Sequence, residues 1–377
     1  MALLRVGLIS ANWGAKCHLP AWRSVPRVDV VAICTSRPET ASQAAELFGV
    51  DRPFHDYREM VNAPDIDLID IGTKPPLRYE MMKAALNAGK HVYAGVPFTA
   101  TLEQAEELGA IARERSVIGA SDAYFQYIPA HLEMKRRIEE NEIGEILSIS
   151  LDLQINLFNP TSPDYPYFWF ADRRNGASAL RNLGTHAITL LTSLFGPVSC
   201  AIGTESIHLP EWRSQEGAVY ATEVPDTASA LLRFAMGPVA TVNCSWIDAG
   251  AVGWRLDVHG SKGRLTARHE ERFPNHVPVR LLRAMADNPH EEEITISSEF
   301  TACPEVAIDS SHRPLPCYPM ALSFARLKRA IEGIGRASPN LNDALHTERV
   351  LAAISRSTES LRWETVTHSS PNSVANR

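Results

Sequence analysis

The sequence predicts an α/β protein: an N-terminal doubly wound parallel sheet of the dinucleotide-binding type, then an α+β domain on an open, mostly antiparallel sheet. Three observations predict it. Up to about residue 125, short apolar runs alternate with helical stretches, the grammar of parallel strands covered on both faces. After Ala130 the apolar residues alternate with polar ones, as in a sheet with one wet face. At 377 residues the chain is long enough for two cores and too long for one. The expected division is a Rossmann domain over 1–125, a substrate and oligomerisation domain over 126–365, and a disordered tail over 366–377.

Taken in order, Leu4–Ile9 is a short apolar strand, followed by a turn and a helical stretch from Ala15 to Ser24. Val28–Cys34 is the second strand and Arg37–Phe48 a helix. Asp67–Ile71 is the third strand, and Tyr79–Ala88 a helix closed by Gly89. His91–Ala94 is the fourth strand. Thr101–Arg115 is a helix whose Thr101 and Gln104 have capping-box spacing. Val117–Ser121 is the fifth strand, and an amphipathic helix covers His131–Asn141. Strands are then expected at 146–157, 199–207, 228–234, 239–246, 255–259 and 264–267, with a helix over 180–195 between them. Helices over 319–332 and 342–360 close the fold and are free to pack back on the first domain. The stretch 273–314 mixes charge, proline and histidine and yields no assignment.

Composition narrows the function. Charged residues make up 21% and net charge is −7, so neither nucleic acid nor an anionic membrane surface is an expected partner. No apolar run approaches the roughly 20 residues of a membrane helix. The N-terminus enters a strand pattern without the layout of a signal peptide, so a cytoplasmic location is expected. Six cysteines at 17, 34, 200, 244, 303 and 317 form no CxxC pair, which predicts reduced, buried thiols and no metal site. An open sheet face predicts a homodimer or homotetramer.

The first loop reads Ser10-Ala11-Asn12-Trp13-Gly14-Ala15. A dinucleotide fingerprint places small residues where the chain turns and where backbone meets pyrophosphate. The strict GxGxxG is absent, but Asn12 tolerates a left-handed backbone and Gly14 follows. The second strand ends in Thr35-Ser36-Arg37, without the acidic residue that takes ribose hydroxyls. Ser36 and Arg37 suit a 2′-phosphate, so NADP is preferred over NAD.

Further stretches complete a pattern: His18–Trp22 (HLPAW), Ile71-Gly72-Thr73, Ala88–Val92 (AGKHV), Ile143–Ile146 (IGEI), Gly184-Thr185-His186 and Val258–Gly263 (VHGSKG). With these, the chain resembles the Gfo/Idh/MocA oxidoreductase family over roughly residues 4–360. The resemblance implies a Rossmann domain, a second domain that presents substrate to a nicotinamide, and sugar- or polyol-like substrates. It adds Thr73, Gly95, Val96 and Pro97 to the expected cofactor contacts. The sequence also departs from the family. The Glu-Lys-Pro motif, whose lysine does the acid/base chemistry, is Gly95-Val96-Pro97. The Asp-x-x-x-His pair is Asn182 and His186, Lys74 stands where a proline is common, and the strand-end histidine position is Arg78. The altered loop and missing lysine are also similar to the family's galactose-regulon repressor branch in yeast, which binds dinucleotide but regulates transcription.

Valine cannot move a proton. His186 is the first acid/base candidate because histidine titrates near neutral pH. Asn182, four residues before it, can orient substrate; Lys74 and Tyr124, after the third and fifth strands, are further donor candidates. Asp122, Gln126 and Tyr127 share the second of those edges. The segment 156–174 concentrates Phe158, Tyr165, Tyr167, Phe168, Trp169 and Phe170, either anchoring a loop or walling a substrate. Tyr127, Tyr167, Trp169 and Arg173 are the expected substrate contacts, and the aromatics point to a sugar-like, glycoside or aromatic-bearing molecule. Three readings stand: an NAD(P)-dependent dehydrogenase with a lysine-free relay, a transient-redox lyase, epimerase or glycosidase, and a non-catalytic dinucleotide-binding regulator.

Overall fold

The structure, a computed structural model, describes residues 3–159, 167–235, 237–250, 253–269 and 278–366. In chain order the first half runs β1 (Leu4–Ile9), α1 (Leu19–Arg23), β2 (Val28–Cys34), α2 (Pro38–Phe48), β3 (Arg52–Phe54), α3 (Tyr57–Asn62), β4 (Leu68–Ile71), α4 (Pro75–Asn87), β5 (His91–Ala94), α5 (Leu102–Arg115) and β6 (Gly119–Ser121). These strands form a parallel six-stranded sheet in the order β3-β2-β1-β4-β5-β6. Strand order reverses between β1 and β4, and the carboxyl ends of these strands are where such sheets form a ligand-binding crevice.

Two elements here lie outside the expected five-strand alternation. Arg52–Phe54 is an edge strand despite Pro53, which an edge tolerates, and Tyr57–Asn62 is a helix capped by the Asp56 carboxylate on the Arg58 N–H at 2.8 Å. Helix α4 starts at Pro75 rather than Tyr79, because proline at the first turn lacks only an N–H that would be unpaired anyway. The capping box of α5 is half formed. The Gln104 N–H donates to Thr101 Oγ1 at 3.4 Å, but Gln104 Oε1 accepts from Ala100 N–H instead of Thr101 N–H.

The second half runs α6 (Pro129–Glu139), β7 (Ile146–Gln154), α7 (Thr185–Phe195), β8 (Val198–Ser206), β9 (Glu211–Arg213), β10 (Val219–Ala221), β11 (Thr227–Phe234), β12 (Val239–Ser245), β13 (Gly253–Gly260), β14 (Gly263–His269), β15 (Arg280–Met285), β16 (Glu292–Glu293), α8 (Ser298–Thr301), α9 (Cys317–Ile331), α10 (Leu341–Ser360) and β17 (Glu364–Thr365). In the described residues a nine-stranded sheet has the order β16-β15-β14-β13-β7-β12-β11-β8-β17. Only the β7–β12 pairing in it is parallel. The hairpin β9–β10 stands apart as a two-stranded ribbon.

The last helices return to the first sheet. Leu341, Ala344 and Leu345 of α10 share a buried cluster with Val92 and Leu108. Phe324 of α9 stacks on Trp22 of α1 at 3.8 Å and meets the Tyr93 ring edge-on at 4.6 Å. Burial of such rings contributes about 1.5–3 kcal/mol each, so the two halves share one core. Helix α10 begins with a complete capping box: Asn340 Oδ1 accepts from Asn342 and Asp343 N–H, and the Asp343 carboxylate accepts from Asn340 N–H. Val366, the first residue of the expected tail, is buried, and its N–H donates to Ser199 O at 2.9 Å; 367–377 lie outside the described residues. Among the described residues no helix is long and apolar enough to cross a membrane.

Candidate active site

The crevice starts at the β1 turn. Ala11 and Asn12 are exposed, Ser10 is buried, and Ser10 Oγ accepts from Asn12 N–H at 3.4 Å. The backbone then turns helical at Gly14–His18, a widened π turn that leads into α1. A Cβ on Gly14 would lie 2.7 Å from Ser10 Cβ, so the turn closes only around glycine. Exposed backbone before a helix start suits a pyrophosphate, and the residues present fit a dinucleotide there. At the end of β2, Thr35 Oγ1 shares a 2.7 Å hydrogen bond with Thr40 Oγ1, while Ser36 and Arg37 are exposed.

The turn after β5 explains its own glycine. Arg78 is buried, donates from Nη1 to Gly95 O at 2.8 Å and to Pro97 O, and donates from Nη2 to Thr73 O. A Cβ on Gly95 would come within 2.9 Å of Arg78 Nη2. The guanidinium therefore fills the space beside Gly95, and one cation binds the ends of β4 and β5 together. Burial lowers Arg78 to about 10, opposed by the charges of Asp122, Glu348 and Asp70, so it stays charged at neutral pH. Val96 is partly exposed, and the Val96–Pro97 peptide is cis.

Behind this turn lies a buried charge cluster that the sequence reading missed. His18 is fully buried, with Nδ1 3.0 Å from both Asp70 oxygens and Nε2 3.2 Å from Asp122 Oδ2. Trp22 Nε1–H donates to Asp70 Oδ2 at 2.7 Å, and the Tyr93 hydroxyl donates to Asp122 Oδ1 at 2.8 Å. Burial works against a charged ring, but the carboxylates of Asp70 and Asp122 outweigh it and raise His18 to about 10. With a carboxylate at each nitrogen, both are donors and the ring is an imidazolium. The missed signal was Asp70 within the apolar strand LIDI, since a carboxylate in a central strand requires a partner.

His186 lies in different surroundings. It is in the first turn of α7, directly after a second π turn at Leu180–Gly184. Its ring stacks on Phe125 at 4.3 Å and meets Tyr124 edge-on at 5.4 Å. Burial lowers it to about 4, with Asp122 pulling weakly the other way, so the ring is neutral. His186 Nδ1 and Tyr124 Oη are both buried and have no hydrogen-bond partner among the described residues. Burial, then the Asp122 charge, push the Tyr124 phenol well above its usual range, so it remains an O–H donor. The platform is fixed from behind: Trp254 Nε1–H donates to His131 Nε2 at 3.0 Å, and the His131 Nδ1–H therefore donates to Phe125 O at 2.7 Å.

The other expected residues divide. Asn182 Oδ1 accepts from Ser178 N–H at 3.2 Å, which braces the turn before His186. Lys74 Nζ lies 4.9 Å from the Trp169 ring centroid, and Asn12 Nδ2 is 3.5 Å from the Tyr167 hydroxyl. These two contacts carry the aromatic segment onto the crevice rim. Tyr127 is not brought to the site: its hydroxyl donates to Ser338 O at 2.7 Å. Arg173 donates from Nε and Nη2 to Glu223 O, each at 3.4 Å. Tyr165 lies outside the described residues.

Residues 4–122 match an oxidoreductase family with an NAD-binding Rossmann fold, and residues 131–266 match the GFO/IDH/MocA C-terminal domain. The uncharacterised oxidoreductase YdgJ of Escherichia coli is 31% identical over 264 residues, 69% of this chain and 70% of that one. Levoglucosan dehydrogenase of Pseudarthrobacter phenanthrenivorans is 29% identical over 296 residues, 72% of this chain and 75% of that one. A solved levoglucosan dehydrogenase in complex with NADH and L-sorbose superposes with a TM-score of 0.84 at 26% identity, covering 97% of this chain and 99% of that one. By sequence across both halves and by fold, the chain belongs to the Gfo/Idh/MocA family and is an oxidoreductase with an NAD-binding Rossmann domain.

Proposed function

We propose that this oxidoreductase interconverts a secondary alcohol and its carbonyl on a sugar-like polyol, and that His186 and Tyr124 manage the proton in place of a lysine. The carrying observation is the pair of buried, unpartnered polar atoms, His186 Nδ1 and Tyr124 Oη, on rings 5.4 Å apart. Buried polar groups without partners cost free energy, and a substrate hydroxyl relieves both. When bound, a nicotinamide dinucleotide supplies the acceptor or donor of the hydride. In the oxidation direction the alcohol O–H proton passes to His186 Nδ1 as the carbon gives up its hydride and the C=O forms. The Tyr124 O–H donates to the same oxygen. An imidazolium beside a developing alkoxide offsets the burial that otherwise disfavours the charged ring. Relatives named for levoglucosan and D-apiose support a polyol substrate. Exposed Ser36 and Arg37, in place of an acidic residue, support NADP over NAD.

The test is turnover of a polyol panel with NAD⁺ and NADP⁺, followed by nicotinamide absorbance, in wild type and His186→Ala. The expected outcome is a loss of kcat by about 10²–10⁴-fold with cofactor affinity unchanged. Full activity in His186→Ala sinks the relay. Silence of the wild type across the panel, with cofactor demonstrably bound, sinks net redox turnover.

A further inference from the structure

A cleft of about 510 Å³ opens beside the crevice, between the turns at 168–175 and the hairpin β9–β10. Its volume lies within the roughly 300–1,000 Å³ of small-molecule sites. Phe168, Trp169, Asp172, Asn175 and Tyr220 line it, and His186, Tyr124 and Asn182 do not. It is therefore distinct from the proton-handling pair.

Its walls are held in place. Trp212 of β9 is buried and stacks on Phe158 at 3.8 Å with 7° between planes, which anchors the hairpin. Paired opposite Trp212 is Tyr220, 37% exposed, whose ring stacks on Phe168 at 4.6 Å with 12° between planes. Trp169 connects the cleft to the crevice, since Lys74 at the end of β4 places its ammonium over that ring. The polar edge of the cleft carries donors as well as acceptors, since the Tyr220 phenol can do both. Asn175 spends Nδ2 on Trp169 O at 2.7 Å, which leaves its Oδ1 for a donor. Arg174 holds the Asp172 carboxyl below its usual range through bonds to both of its oxygens, so the pair is satisfied within itself.

We infer that this cleft is a subsite for a second, neutral ring joined to the reacting polyol, so that the substrate is a glycoside rather than a free monosaccharide. The inference rests on the proposed polyol oxidoreductase activity. Aromatic walls recognise the apolar face of a sugar or aryl ring, and Asn175 Oδ1 accepts from one of its hydroxyls. Attraction for a cation or a phosphate is not what the lining offers: one carboxylate is already paired, and no arginine lines the cleft.

The experiment measures, in the presence of the cofactor, the Kd of methyl β-D-glucopyranoside, 4-nitrophenyl β-D-glucopyranoside and cellobiose by calorimetry, with initial rates alongside, for wild type and Tyr220→Ala. Tyr220 is half-exposed on a ribbon anchored elsewhere, so the variant keeps the fold. At least one two-ring probe should bind about tenfold tighter than the methyl glycoside, and Tyr220→Ala should erase that advantage without changing kcat on the methyl glycoside. An advantage for 4-nitrophenyl alone identifies an aryl subsite, and one for cellobiose a glycosyl subsite. Equal Kd values, no binding by either two-ring probe, or an advantage that survives Tyr220→Ala overturns the subsite. Turnover of the methyl glycoside with equal Kd values would leave the redox reading intact and remove the subsite; a Tyr220-dependent advantage without turnover would do the reverse.

Discussion

His18 and His186 are both buried, and their neighbours send them in opposite directions. Burial depresses each ring, but His18 has a carboxylate at either nitrogen and rises to about 10, whereas His186 has aromatic faces and falls to about 4. The sign for catalysis follows. A depressed base is deprotonated above about pH 4, so His186 should leave log kcat/KM flat from pH 5 upward and bend it only near pH 4. A limb near 6.5 that disappears in His186→Ala would show an ordinary solvated histidine instead. At this scale the sequence was legible as far as bringing residues together goes: His186 and Tyr124, singled out by side-chain type, lie with their rings 5.4 Å apart. It was opaque where a role depends on contact. Gly95 reads as a lost glutamate, yet the structure fills its place with Arg78, 17 residues away. Tyr127 shares the strand-end edge with Tyr124, yet its hydroxyl is committed to Ser338.

Among the elements, strands with strong apolar runs were readable to the residue: Leu4–Ile9, Val28–Cys34 and His91–Ala94 appear with the expected bounds. The short ones were not. Arg52–Phe54, Glu211–Arg213 and Val219–Ala221 carry three residues each, too few to show a period. The described part of the aromatic segment makes contacts of two kinds. It anchors itself through Asn175 on Trp169 O, and it walls a cleft through Phe168 and Trp169. Its exit is set by Gly176, at φ 66°, where an added Cβ would stand 2.6 Å from Ala100 Cα. Gly176→Ala combines a left-handed backbone with a clash against main chain, for a loss of about 1–3 kcal/mol. The expected result is a lower Tm with a raised KM for substrate, because the segment is pushed off the crevice, and a smaller rise in the KM for cofactor through loss of the Asn12–Tyr167 contact. An unchanged substrate KM would show that the wall does not contact substrate.

The whole molecule is tied where three distant parts of the chain meet. Arg181, in the turn before His186, donates from Nη2 to Glu348 Oε2 at 2.8 Å and to Thr99 O at 2.6 Å, and from Nε to Gly176 O at 2.8 Å. Glu348 of α10 has a side chain only 1% exposed, and its Oε1 also accepts from Thr99 N–H at 3.5 Å. One ion pair thus joins the segment after Pro97, the exit of the aromatic wall and the C-terminal helix. Nothing in the sequence marks this pair, because the spacing of 167 residues carries no local pattern. Removing one partner of a buried pair strands the other charge and costs about 3–5 kcal/mol. Arg181 keeps some solvent contact, its side chain being 18% exposed, which places Glu348→Ala near the lower end. The cost should be local before it is global. Amide exchange should rise first around 97–101, 176–184 and the middle of α10, while β1 and β2 keep their protection. Glu348→Gln, which retains the hydrogen-bonding shape without the charge, should recover part of the Tm loss. If Glu348→Ala melts like wild type, or exchange rises evenly over both sheets, the pair does not hold the halves together.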